Sequence, residues 1–160
     1  MKNKLISLLV GALCASAFVG CGSDNKSVNA ITAADGKTTP SIDGTWILQN
    51  ATCNNKSTFA PEVLDALESG LAELKVEIKG KIGVMTSKAR GQLVNKPDSF
   101  TVDYPRADQV SISGSANTTN FAQLQNTYSY QVSKSELSLT EIKNKTCPDG
   151  SAATIVFVSK

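Results

Sequence analysis

The chain has 160 residues, of which 41% are hydrophobic, with four cysteines, no histidine and a formal charge of +2. That length suits one domain and not two. Lys2 and Lys4 precede a hydrophobic run, so residues 21–160 hold fourteen Lys and Arg against fourteen Asp and Glu and are formally neutral. A neutral surface gives no general electrostatic attraction for nucleic acid or an acidic membrane. Without histidine the chain lacks the side chain most used as a general base near neutral pH and the commonest metal ligand. Most hydrolase and zinc-enzyme classes lapse on that ground.

Leu5 to Val19 is fifteen residues without a charge, following the cationic segment Met1–Lys4. A helix needs roughly 20 apolar residues to cross a bilayer, so this run has the dimensions of a secretory h-region instead. It ends in Phe18-Val19-Gly20-Cys21, followed by the polar Gly22-Ser23-Asp24-Asn25-Lys26. These residues resemble the lipobox of bacterial lipoproteins. The resemblance implies that residues 1–20 are a removed signal peptide and that Cys21 carries a diacylglyceryl group and an acylated amine. Cys14 fits that role less well, because Leu13 is too bulky for the position beside the cleavage site. Each buried methylene contributes roughly 0.8 kcal/mol, and stable anchoring takes at least two chains. Gly22, where Asp would favour the inner membrane, implies the outer membrane of a bacterial envelope.

Residues 21–41 are rich in Ser, Thr, Asn, Asp and Gly and poor in large apolar side chains. They are expected to form a flexible tether, with a reach of roughly 25 Å. Gly36-Lys37-Thr38 resembles the end of a phosphate-binding loop, but Ile31 stands where that motif demands glycine.

From residue 42 to 160 the chain predicts short strands separated by turns. Trp46 and Leu48 alternate with Thr45 and Ile47 in a first strand near 45–52. Val76 and Ile78 mark a second and Ile82 and Val84 a third, with Gly80 and Gly83 allowing a turn or a bend between them. Phe100, Val102 and Tyr104 alternate in the next, and Pro105 is expected to end it. Val110 and Ile112 form a fifth, and Tyr128, Tyr130 and Val132 a sixth that pairs across Ser133-Lys134-Ser135 with Leu137 and Leu139. Thr154 to Val158 is an uninterrupted run expected to be buried on both sides for part of its length. The count is eight strands, or seven if the second and third are one.

Pro61 to Leu74 breaks this period, with Leu64, Leu67, Leu71 and Leu74 on one helical stripe. Pro61 suits the first turn, and Glu62, Asp65 and Glu68 lie toward the positive end of the dipole. Their three carboxylates are read as a solvated face.

Cys53 and Cys147 are the thiols left besides Cys21, and an exported chain reaches a compartment that permits disulfides. A bridge from the end of the first strand to the start of the last sets those strands side by side. The expected fold is therefore mainly β: a closed or nearly closed antiparallel barrel of about eight strands, with one helix inserted after the first. A two-sheet sandwich is the alternative. Asp43-Gly44-Thr45-Trp46 is similar to the Gly-x-Trp opening of lipocalin barrels, whose tryptophan plugs one end and pairs with an Arg near the chain terminus. Lys160 stands in the comparable place.

No nucleophile elbow occurs, nor a Ser-x-x-Lys motif in a suitable context, nor EF-hand, zinc or haem spacing, so an enzyme is not expected and no cofactor or metal is implied. Asp103-Tyr104-Pro105-Arg106-Ala107-Asp108 is read as a turn with exposed ion pairs. Two functions follow. In the first, the barrel holds a small apolar molecule or lipid, with Trp46, Tyr104, Tyr128 and Tyr130 lining an apolar cup. In the second, the domain is an envelope interaction module or an inhibitor of an exported enzyme. It would act through the loop Gly114–Gln125, where Phe121 and Leu124 lack an obvious core role.

Overall fold

The computed structural model describes residues 29–114 and 124–160. The expected signal peptide, the expected lipidation site Cys21 and most of the Gly114–Gln125 loop fall outside them. In chain order the elements are β1 (Ala30–Thr32), β2 (Thr38–Pro40), β3 (Gly44–Cys53), β4 (Lys56–Ser57), α1 (Pro61–Glu68), β5 (Ala72–Lys79) and β6 (Ile82–Ala89). They continue with β7 (Gln92–Leu93), β8 (Asp98–Arg106), β9 (Gln109–Gly114), β10 (Asn126–Val132), β11 (Glu136–Glu141) and β12 (Ala153–Ser159).

Eight of these strands are the staves of a closed antiparallel barrel. β3, β5, β6, β8, β9, β10, β11 and β12 pair in that order, and β12 returns to pair with β3. The closing seam sets Ala153 opposite Cys53 and Ser159 opposite Trp46, with a bulge between Val156 and Phe157. Cys53 and Cys147 are bridged, their Cα atoms 5.8 Å apart across a sequence separation of 94. Closure leaves no long unpaired edge among the staves.

The period-2 pattern sorts side chains as a half-buried sheet requires. Phe100, Val102 and Tyr104 of β8, Val110 and Ile112 of β9, Tyr128 of β10 and Leu137 and Leu139 of β11 are all buried. β12 also alternates: Ala153, Ile155 and Phe157 point inward, while Thr154, Val156 and Val158 are half-buried outside, so its apolar run is not buried on both faces.

Four further expectations need correcting. First, Pro105 does not end β8. The strand runs on to Arg106 through a register shift between Asp103 and Arg106, a bulge where a missing N–H breaks no ladder bond. Second, the helix stops at Glu68. Ser69 N–H donates to Asp65 O at 2.9 Å, Gly70 turns left-handed at φ 73°, and Leu74 passes into β5 opposite Ser87. Third, Gly83 makes no bend. The turn between β5 and β6 is at Gly80, φ 62°, while Gly83 pairs with Ile78 and Phe100 within β6 without a register shift.

Fourth, part of the expected tether belongs to the domain. β1 and β2 form a hairpin turned at Asp35-Gly36, with Gly36 at φ 78° and Lys37 N–H donating to Asp35 Oδ1 at 3.1 Å. Ala33, Thr39 and Ser41 are buried against the barrel.

Candidate functional site

The two ends of the barrel differ because the large inward side chains gather at one of them. At the end where β3 begins, the chain before it forms a plug. Ile42 is fully buried outside any strand, and side chains satisfy both of its backbone groups. Its N–H donates to Tyr104 Oη at 3.0 Å, and its carbonyl accepts from Trp46 Nε1–H at 2.8 Å. Tyr130 Oη–H donates to Pro40 O at 2.7 Å, and Thr39 Oγ1 donates to Ala107 O. The Tyr104 and Tyr130 rings meet edge to face with centroids 6.0 Å apart. Burial raises the phenol pKa of both tyrosines, with the Ile42 contact opposing it at Tyr104 and the Thr39 contact at Tyr130.

This arrangement gives three of the four expected cup residues, Trp46, Tyr104 and Tyr130, another role: their polar atoms hold the plug. The fourth, Tyr128, is fully buried opposite Glu141 in the β10–β11 register, and its Oη–H donates to Leu124 O at 3.0 Å. Burial first, and the Glu141 charge second, raise its pKa. None of the four lines the main cavity. Trp46 is buried at the plugged end, and Lys160 Nζ bonds Glu73 Oε2 at 3.0 Å.

The opposite end, where β3 finishes, is hollow. A cavity of about 770 Å³, open to solvent, lies between inward residues of β3, β5 and β12 and the segments that follow β3 and β11. Its apolar wall is Leu48, Ala51, Phe59, Leu74, Leu124, Ile155 and Phe157. The space exists because the seam carries short inward side chains there, with Ala51, Cys53 and Ala153 along it where the other end has Trp46.

Polar groups converge on the same space. Glu141, only 4% exposed, closes β11 and accepts from Thr146 N–H and Thr146 Oγ1–H at 2.8 Å each and from Ala153 N–H at 2.9 Å. At the mouth, Asp149 accepts from Ser151 Oγ–H at 2.6 Å, from Ser151 N–H at 3.0 Å and from Asn54 Nδ2. The Ser151 hydrogen bonds hold the Asp149 carboxyl below its ordinary range. The disulfide and Glu141 together pin the segment between β11 and β12 over the cavity.

The same end of the barrel carries most of the exposed apolar side chains. Of six large exposed hydrophobic side chains among the described residues, Val63, Leu71, Leu93, Val94 and Ile142 belong to segments at this end, and only Ile82 is at the plugged end. Leu124, read from sequence as a surface residue, is buried in the cavity wall. Asp103 to Arg106, expected in a turn, belong to β8, the turn is Ala107-Asp108 alone, and Asp103 pairs at 3.2 Å with exposed Lys81, which lies outside that stretch. Glu62, Asp65 and Glu68 are exposed along α1.

Among the described residues no group of three His, Cys, Asp or Glu side chains is placed to hold a metal ion, and no helix is long and apolar enough to cross a membrane. Comparison with protein-family models and with curated proteins finds no match to this chain.

Proposed function

We propose that the protein is a non-catalytic, lipid-anchored component of a bacterial cell envelope that binds a small apolar or amphipathic molecule in the open end of its barrel. The observation that carries this reading is the cavity of about 770 Å³ with its aliphatic and aromatic wall. Small-molecule sites span roughly 300–1,000 Å³ and combine such walls with a few placed polar groups. Transfer of apolar surface from water to this wall contributes roughly 25 cal/mol per Å².

The anchoring half of the reading rests on the lipobox-like residues ending at Cys21. Asn29, eight residues further on, lies beside the plugged end, where its carbonyl accepts from Ser41 N–H at 2.6 Å. A lipid on Cys21 therefore tethers the domain by its plugged end and leaves the mouth facing away from that membrane. Labelling with a palmitate analogue tests this half, since Cys21→Ser abolishes the label.

Native mass spectrometry of the protein from residue 21 onward, carrying Cys21→Ser and purified without detergent, tests the cavity. A retained small molecule, lost when Leu48→Trp fills the space, is the expected result. A clean apo mass with a co-purifying protein would instead favour the second reading, an interaction module or inhibitor of an exported enzyme. The exposed Val63, Leu71, Leu93 and Val94 in segments at that end of the barrel are the observation on that side.

A further inference from the structure

We propose that the cavity selects an amphiphile with a cationic, hydrogen-bond-donating head, an alkyl ammonium rather than a fatty acid, and that Glu141 receives that head. The assignment rests on reading the cavity as a ligand site.

Glu141 is a carboxylate 4% exposed that nevertheless forms part of the cavity wall. Buried carboxylates are ordinarily paired with a cation. Among the described residues the ion pairs within 4.0 Å are Lys75–Glu77, Lys81–Asp103, Lys88–Glu73 and Lys160–Glu73, and none includes Glu141. All three of its donors, the Thr146 and Ala153 amides and the Thr146 hydroxyl, are neutral. Two of them share Oε2, while Oε1 accepts only from Thr146 Oγ1. A carboxylate oxygen can accept two hydrogen bonds, so Oε1 retains capacity for a donor arriving from the cavity.

The surroundings extend the same preference. The cavity's ionisable wall residues are Glu141 and Asp149 against Lys56, and Lys56 is exposed on the hairpin after β3. Beyond the carboxylate, Leu48, Leu74, Ile155 and Phe157 offer an apolar course for a hydrocarbon tail. A fatty-acid carboxylate seated here would oppose Glu141 with like charge, whereas an ammonium gains a charge-assisted hydrogen bond.

Equilibrium dialysis of the protein from residue 21 onward, carrying Cys21→Ser, against dodecylamine, 1-dodecanol and dodecanoate below their micelle concentrations tests the assignment. Dodecylamine is expected to bind at least about tenfold more tightly than dodecanoate, the equivalent of one favourable charge-assisted contact. Glu141→Gln should remove that preference, bringing dodecylamine and dodecanoate to within about threefold of each other in the same variant. If Glu141→Gln does not fold, the unsubstituted series decides alone. Leu48→Trp, which keeps the carboxylate and fills the space, should weaken all three probes. Equal binding of amine and carboxylate, or tighter carboxylate binding, overturns the head-group assignment and leaves the cavity reading standing. Failure of every probe to bind overturns both.

Discussion

Gly83 and Phe100 face each other across the β6–β8 pairing, and the Phe100 ring lies over the Gly83 backbone, filling the space a side chain would take. A Cβ added at Gly83 would fall 2.1 Å from Phe100 Cε2 and Cζ. Gly83→Ala must therefore displace a buried ring inside a closed barrel, and overpacking of this kind costs about 1–3 kcal/mol. A lower urea midpoint with an unchanged slope is the expected result. A wild-type midpoint would mean that the ring has room to move.

Tyr104→Phe removes the side-chain acceptor of the buried Ile42 N–H while keeping the ring. Leaving such a donor unpaired costs about 1–3 kcal/mol, more than an exposed hydroxyl contributes. The loss should be local, so amide exchange at Ile42 should accelerate well beyond that in β10 and β11. Uniform acceleration across the barrel would count against a separate plug.

Replacing Cys53 and Cys147 together with alanine releases a loop of 94 residues and the segment over the cavity. The chain-entropy model puts the loss at about 4.7 kcal/mol at most. Thermal unfolding of the double variant should occur well below that of the oxidised protein. Limited proteolysis should cut first between Glu141 and Ala153, because hydrogen bonds such as those to Glu141, Asn126 and Asn54, and no covalent bridge, then hold that segment.

Glu73 lies on the outer face of β5 with Lys160 Nζ at 3.0 Å and Lys88 Nζ at 3.6 Å. The Lys160 hydrogen bond chiefly, opposed by partial desolvation and aided by the charges of Lys160, Lys88 and Lys75, holds its carboxyl below the ordinary 4.5. A folded-state pKa below the unfolded one means that the contribution to stability is complete above the unfolded value. It is lost as pH falls through the lower folded value. The stability gap between wild type and Glu73→Gln should thus be constant from pH 8 to about pH 5 and shrink below about pH 4.5. A gap that persists at pH 3 would show the carboxyl to be unperturbed.

Much of the barrel was legible because its staves carry the period-2 signal plainly. Phe100, Val102 and Tyr104 announce β8, and Tyr128, Tyr130, Leu137 and Leu139 announce the β10–β11 hairpin. Some elements that were missed had signals of their own. Asp35-Gly36 is a hairpin turn pair, and Ser69-Gly70 is a helix stop within the leucine stripe. Asn54-Asn55 and Arg90-Gly91, both pairs at positive φ, turn the chain back into the short strands β4 and β7.

The candidate site was far less legible. The tyrosines looked like ligand residues because a buried phenol needs a hydrogen-bond partner, and nothing in the sequence distinguishes a ligand atom from the carbonyl of Pro40 or Leu124. Glu141 gave no sign of burial, standing at a strand end beside Lys143 and Lys145.

Alternation along each strand is a local property, set by the pleat, so the chain alone decided which side chains face inward and that its first and last staves could be joined through sulfur. Which inward residues share a layer depends on register between strands distant in sequence, and only closure of the barrel settles that. Closure brought Trp46, Tyr104 and Tyr130 together around Ile42 at one end and left Ala51, Cys53 and Ala153 at the other. The first end became a plug and the second a cavity because side-chain volume adds up across strands, not along them.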